Sequence, residues 1–206
     1  MDVYKKYFEA TDWLVAQARR YGVTIDFDGG HFGLNEDIKL DYIGYGTGSG
    51  NENVQMVSNV LLKIGYTSPM QFYNWAMANT KCDNVIVLIF TKGSGVSYAM
   101  AYGNGMNSEL YFTEGVMIYE RYSNGLELLP ATIAHELLHV FGAWDLYETF
   151  RQTRRAEELA RIHFPNSIML RIAYNINDLI VDQLTAWRIG WNTNPEPWYN
   201  NLNPDR

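Results

Sequence analysis

The chain contains one cysteine, Cys82, so no disulfide can close within it and the sequence leaves its redox compartment open. A lone thiol beside an apolar run reads as a small buried hydrophobe. No stretch reaches the roughly 18 consecutive apolar residues that a membrane-spanning helix needs. The opening residues, M-D-V-Y-K-K-Y-F-E-A, lack the apolar segment of a signal peptide. The sequence as it stands therefore predicts a cytoplasmic chain, or a secreted one if a leader has been removed ahead of it. Basic residues are in deficit, with 16 Lys and Arg against 23 Asp and Glu for a net charge of -7, and no basic face stands out to meet nucleic acid. What the chain has instead is core-forming material. With 47% hydrophobic and 15% aromatic residues over 206 positions, disorder is excluded and one domain is predicted, residues 1–206. Within it we expect an N-terminal lobe to about residue 142 and a smaller C-terminal lobe over residues 143–206.

The chemistry concentrates in residues 132–147, T-I-A-H-E-L-L-H-V-F-G-A-W-D-L-Y. His135 and His139 are four positions apart, so on a helix both imidazoles lie on one face and can reach one point in space. Glu136 projects about 100° further round the helix, beside that point, where it can reach a water. Gly142 can adopt positive φ, which lets the helix stop and the backbone turn, and Asp145 then arrives with a carboxylate. Two neutral imidazoles, one carboxylate and a position left open for water are the ligand set of a catalytic zinc, with Glu136 as general base. Ligand type and availability favour zinc over copper or nickel. An H-E-x-x-H pattern also arises by accident in buried helices, and both histidines are then ordinary core residues.

Around this segment the elements read in order. Residues 2–21 place Tyr4, Tyr7, Phe8, Leu14, Val15 and Ala18 at helical spacing, with Gly22 as a stop. Residues 24–27 read as a short strand, followed by Asp26-Phe27-Asp28-Gly29-Gly30-His31 as a turn with a loop histidine. A D-x-D-G run can also begin a calcium (Ca2+) loop, although the later EF-hand ligands are missing. Residues 38–45 alternate as a strand and run into a glycine-rich segment, 44–50, which lacks a G-K-[ST] ending and reads as a connector. Helices are expected over residues 51–64 and 70–79, the second turning Phe72, Tyr73 and Trp75 to the core. The continuous run Val85-Ile86-Val87-Leu88-Ile89-Phe90 predicts a central strand buried on both faces, with further strands over residues 96–102 and 115–122. Residues 131–141 form the candidate metal helix, and residues 146–164 a helix exposed in its second half. Residues 175–190 form the last helix; Asp178 and Asp182 either lie at its surface, the more common case, or orient a ligand imidazole from behind it, and the tail from Trp191 is an irregular strap. This order predicts an α/β (α+β) fold, a mixed twisted sheet with packed helices.

The segment H-E-L-L-H-V-F-G-A-W-D at 135–145 resembles the signature of the metzincin zinc peptidases, in the form that ends on Asp, as in the snapalysin-like branch. P-N-S-I-M at 165–169 looks like the methionine-containing turn that lies under the metal in that clan. The resemblance rests on residues 133–145 and 166–169. It implies a zincin layout with the active-site helix on the floor of a cleft, zinc held by His135, His139 and Asp145, and peptide-bond hydrolysis with Glu136 as base. It also implies a peptide or protein substrate paired along residues 96–102, and a specificity pocket wall near residues 169–174. Related peptidases are usually exported. The chain departs from several metzincin families in having Arg171 where they carry tyrosine; its nearest tyrosine is Tyr174. Two alternatives stand beside this reading. In the gluzincin pattern a helical glutamate, here Glu157 or Glu158, is the third ligand. In a non-catalytic binding module the metal is absent or structural, with the fourth position filled by His163 or Glu158.

Overall fold

A computed structural model of the chain describes residues 3–33, 50–100 and 113–204. The strand expected over residues 38–45, nearly all of the glycine-rich connector and the end of the 96–102 strand lie outside the described residues. In chain order the helices are α1 (Val3–Arg20), α2 (Gly50–Lys63), α3 (Pro69–Asn79), α4 (Pro130–Val140), α5 (Arg154–His163) and α6 (Gln183–Arg188). The strands are β1 (Ile86–Gly95), β2 (Tyr98–Met100) and β3 (Glu114–Tyr122), and the architecture is mixed α/β with a three-stranded mixed sheet. The chain divides into two compact units. One comprises Met1–Asp26, Phe90–Ser97 and Ile118–Arg206; the other comprises Phe27–Ile89 and Tyr98–Met117.

The sheet order is β1-β3-β2, with β2 antiparallel to β3 and Ala99 opposite Val116. Among the described strands the run at 85–90 is thus at the edge rather than the centre: only alternate residues, Val87 and Ile89, join Val85 in burial, and Phe90 is 40% exposed. The central strand is β3, where Glu114 to Ile118 are continuously buried. An unbroken β-branched run reports strand propensity, but how many neighbours a strand acquires depends on the rest of the sheet.

In the unit that holds α2 and α3, these two helices pack together. Ser68 caps α3 by accepting the Gln71 N–H at 3.1 Å, and Pro69 occupies the first turn. The expected aromatic core face of α3 is not there. Only Pro69 and Ala76 are buried in that helix, Trp75 is 46% exposed, and Phe72 and Trp75 stack on one another at 6.0 Å with Tyr66 edge-on to Phe72. Aromatic rings can satisfy one another at a surface as well as in a core, so helical spacing alone did not assign the face.

In the other unit α1 packs against α4. The buried face of α1 is Ala10, Trp13, Leu14, Gln17 and Ala18, rotated from the expected stripe, and Phe8 is 46% exposed. Gln17 tolerates burial because its Oε1 accepts the Val181 N–H at 3.1 Å and Arg20 Nη1 at 2.6 Å. Residues 24–27 form no strand. The helix expected over 175–190 is broken into a 3-10 turn, Ile176–Asp178, an extended stretch, and α6. Asn175 and Asp182 act as N-caps, and between them Ile180 exchanges backbone hydrogen bonds with the 166–168 segment. The apolar spacing of that region is compatible with one helix; the cap residues inside it are the stop and start signals that prevail. The tail is packed rather than loose, with Tyr199 and Leu202 buried in a second 3-10 turn, Pro197–Leu202. Among the described residues, no helix is long and apolar enough to cross a membrane.

Candidate metal centre

The helix α4 is buried almost throughout, including His135 and Glu136. It ends in a Schellman turn: Gly142 at φ +100° donates to His139 O at 2.9 Å, and Ala143 N donates to Leu138 O at 2.9 Å. The same turn brings the Ala143 carbonyl to 3.0 Å from His139 Nδ1, while the Ile168 carbonyl lies 3.0 Å from His135 Nδ1. A carbonyl can only accept, so both Nδ1 atoms carry hydrogen and both Nε2 atoms are turned inward as the reactive nitrogens. The two Nε2 atoms are 3.1 Å apart.

Asp145 comes back from the turn to meet them, with Oδ1 3.3 Å from His135 Nε2 and 3.1 Å from His139 Nε2. These are short distances without hydrogen-bond geometry: Oδ1 is buried and has no hydrogen-bond partner. Three ligand-type atoms facing one point, one of them an unsatisfied buried oxygen, fit a cation better than a polar core. Glu136 stands beside them, with His135, Glu136 and His139 each offering a ligand-type atom within 4.8 Å of the others. That grouping could hold a metal ion. Asp26, Asp28 and His31, weighed as a calcium loop, do not form one.

The alternative third ligands are engaged elsewhere. Glu157 accepts Glu148 N at 2.6 Å and the Arg161 guanidinium, and Glu158 faces Arg154 at 3.5 Å on the exposed side of α5. His163 packs against Trp198 with the rings tilted by 36° and their centroids 4.3 Å apart. The segment expected as a methionine turn lies next to the centre: Met169 is fully buried, and its carbonyl accepts Leu146 N at 2.9 Å, one residue past Asp145. Arg171 reaches back to the Pro165 carbonyl and Asn166 Oδ1, both at 3.0 Å, and Tyr174 is 79% exposed.

Sequence reading missed several supports. Tyr147 stacks on His135 at 6.1 Å; burial, then the Asp145 charge, push its phenol well above the ordinary tyrosine range. Gln152, buried, donates through Nε2 to the Asp145 carbonyl at 3.0 Å and to Leu202 O at 2.9 Å, tying the metal segment to the tail. Neither belongs to a spacing pattern. Only the nearness of Tyr147 to Asp145 in the sequence could have drawn attention to it.

Electrostatics at the centre favour a protonated His135 beside an ionised Asp145 when no metal is bound. Burial by itself pulls His135 down, but Asp145 and Glu136 outweigh it and raise the imidazole to about 9. Burial pushes Asp145 up, but His135 and His139 outweigh that and hold its carboxyl well below the usual range. The His135 proton thus stabilises the folded metal-free chain fully below its ordinary value of 6.5, and this is lost as pH rises through about 9. The Asp145 contribution is present above 3.8 and is lost in acid. We expect the Tm of chelator-treated protein to be highest between those two ordinary values and to decline towards pH 9. Calorimetry across that range checks it, and Asp145→Asn should flatten the alkaline decline. Bound metal should reverse the trend, because it takes the neutral imidazole.

Comparison with protein families, curated proteins and solved structures found no match to this chain. The class that fold and site define is therefore a mixed α/β protein with a buried histidine and carboxylate grouping able to hold a metal ion.

Proposed function

We propose that this chain is a zinc-dependent metallopeptidase of metzincin-like layout, with His135, His139 and Asp145 as metal ligands and Glu136 as general base. The observation that carries the reading is the triangle of His135 Nε2, His139 Nε2 and Asp145 Oδ1, with sides of 3.1, 3.1 and 3.3 Å. A tetrahedral ion with bonds of about 2.0–2.1 Å spaces its ligands about 3.3–3.4 Å apart, so these atoms need to spread only slightly. Zinc, when bound, supplies a Lewis acid that polarises a scissile carbonyl and acidifies water. The chain supplies the rest. The Ala143 and Ile168 carbonyls orient the imidazoles, and the buried wall of α4 keeps bulk solvent from His135 while leaving His139 partly open. The Glu136 carboxylate takes the proton of the attacking water and delivers it to the leaving amine. Peptide rather than ester hydrolysis follows from the metzincin resemblance of residues 135–145 and 165–169, not from the triangle.

The test is hydrolysis of an unfolded protein and a mixed peptide pool, read by mass spectrometry, before and after chelation. Cleavage that stops with chelator and returns with one equivalent of zinc is the expected result. Failure of purified protein to take up added zinc would overturn the proposal. Zinc uptake with no cleavage of any peptide would instead favour the binding module with a structural metal.

A further inference from the structure

Asp182 lies outside the metal grouping and is 2% exposed. As the N-cap of α6 it needs one bond, from Thr185 N to Oδ1 at 3.0 Å. Its second oxygen does something else. Oδ2 accepts two hydroxyls, Thr185 Oγ1 at 2.7 Å and Ser167 Oγ at 2.6 Å. Having donated its hydrogen, Ser167 Oγ is left as an acceptor, and it takes Met169 N–H at 3.1 Å. The residue between Ser167 and Met169 is Ile168, whose N–H is held by Ile180 O at 3.0 Å and whose carbonyl accepts from His135 Nδ1 at 3.0 Å. Ser167, Ile168, Met169, Asp182, Thr185 and His135 are all buried, so their polar groups in this path cannot exchange partners for water without exposing the turn.

We propose that Asp182 and Ser167 are a positioning pair for His135: by locking the 167–169 turn they fix the Ile168 carbonyl, and that carbonyl sets the tautomer and aim of the imidazole that binds metal. Asp182 neither touches the metal nor the substrate. The inference rests on the proposed role of His135 as a ligand. It requires a carboxylate rather than any polar residue, because the oxygen that receives two O–H donors would become an N–H2 donor in asparagine. Groups that orient a ligand histidine typically contribute 10–100-fold to metal affinity. A purely structural role, holding α6 against the turn, would lower stability without singling out affinity.

Zinc dissociation constants, measured by chelator competition well below each variant's unfolding temperature, separate the two. The proteins are wild type, Ser167→Ala, Asp182→Asn, the double variant, and Leu184→Val, which loosens the buried face of α6 without touching the pair. We expect Ser167→Ala and Asp182→Asn each to weaken zinc binding roughly 10–100-fold, and the double variant to be no weaker than the worse single one. Leu184→Val should lower the metal-free Tm while leaving affinity within about threefold. Ser167→Ala binding zinc as tightly as wild type overturns the inference, and so does affinity that falls in step with Tm in every variant including Leu184→Val. If Asp182→Asn does not fold, Ser167→Ala decides by itself. The ligand-field spectrum of its cobalt-saturated form should then differ from wild type if His135 has lost its aim. A wild type that binds no zinc refutes the metal reading underneath, which is a different failure.

Discussion

Glu136→Gln is expected to keep its metal and lose turnover by about 10²–10⁴-fold in kcat, the usual worth of a positioned acid-base group. Glutamine has the size and shape of glutamate, so the packing of the buried α4 face should survive, and Tm should change little. What changes is that an amide cannot take a proton from water. Metal content should hold, since the three atoms of the ligand triangle belong to other residues. Zinc per chain by elemental analysis, run beside steady-state kinetics, checks both halves. Full turnover in Glu136→Gln would remove the residue from the mechanism, and loss of zinc would make it a ligand instead.

Asp145→Ala is expected to have the larger effect on the metal itself. It removes the one anionic donor of the triangle, and the loss in zinc affinity should exceed the roughly 10–100-fold that outer partners of a ligand typically contribute. Glu158→Ala should bind zinc like wild type, because that side chain is 64% exposed and faces Arg154. Measured side by side, the pair distinguishes the metzincin ligand set from the gluzincin one. Zinc retained in Asp145→Ala and lost in Glu158→Ala would reverse the assignment. The metal-free form carries a second signature: without Asp145 the burial of His135 is opposed chiefly by Glu136, so its imidazole should titrate lower than in wild type. Histidine NMR signals followed with pH would read this directly.

The candidate centre was legible in unequal parts. His135 and His139 follow from helical geometry alone, since any helix over residues 131–141 stacks them on one side. Gly142 was legible as the stop because the Schellman turn needs a residue comfortable at φ +100°. Asp145 was a matter of family spacing until the turn was seen to return its carboxylate to within 3.3 Å of both nitrogens. Asp182 fits a surface place on a long helix or a place behind a ligand imidazole equally by spacing, and the structure makes it an N-cap at a helix start and a buried acceptor for Ser167. The pattern of apolar residues over 175–190 does not distinguish one amphipathic helix from a short turn, an extended bridge and a second helix. That choice is made by Ile180 pairing with residues 166–168. In the same way the run at 85–90 announces a strand, but its place at the sheet edge is set by β3.

By itself the sequence determined what is local: the helical phase of His135, Glu136 and His139, the turn after them, and that no disulfide can close within the chain. These depend on bonds between residues a few positions apart, whose geometry the backbone dictates. Tertiary structure alone decided which carboxylate faces the imidazoles, that Ile168 orients His135, and that Gln152 and Asp182 brace the segments carrying those groups. Such contacts join residues up to 50 positions apart, as between Gln152 and Leu202. Their partners are selected by burial, where a polar group left unpaired is costly, and sequence spacing carries no record of that selection.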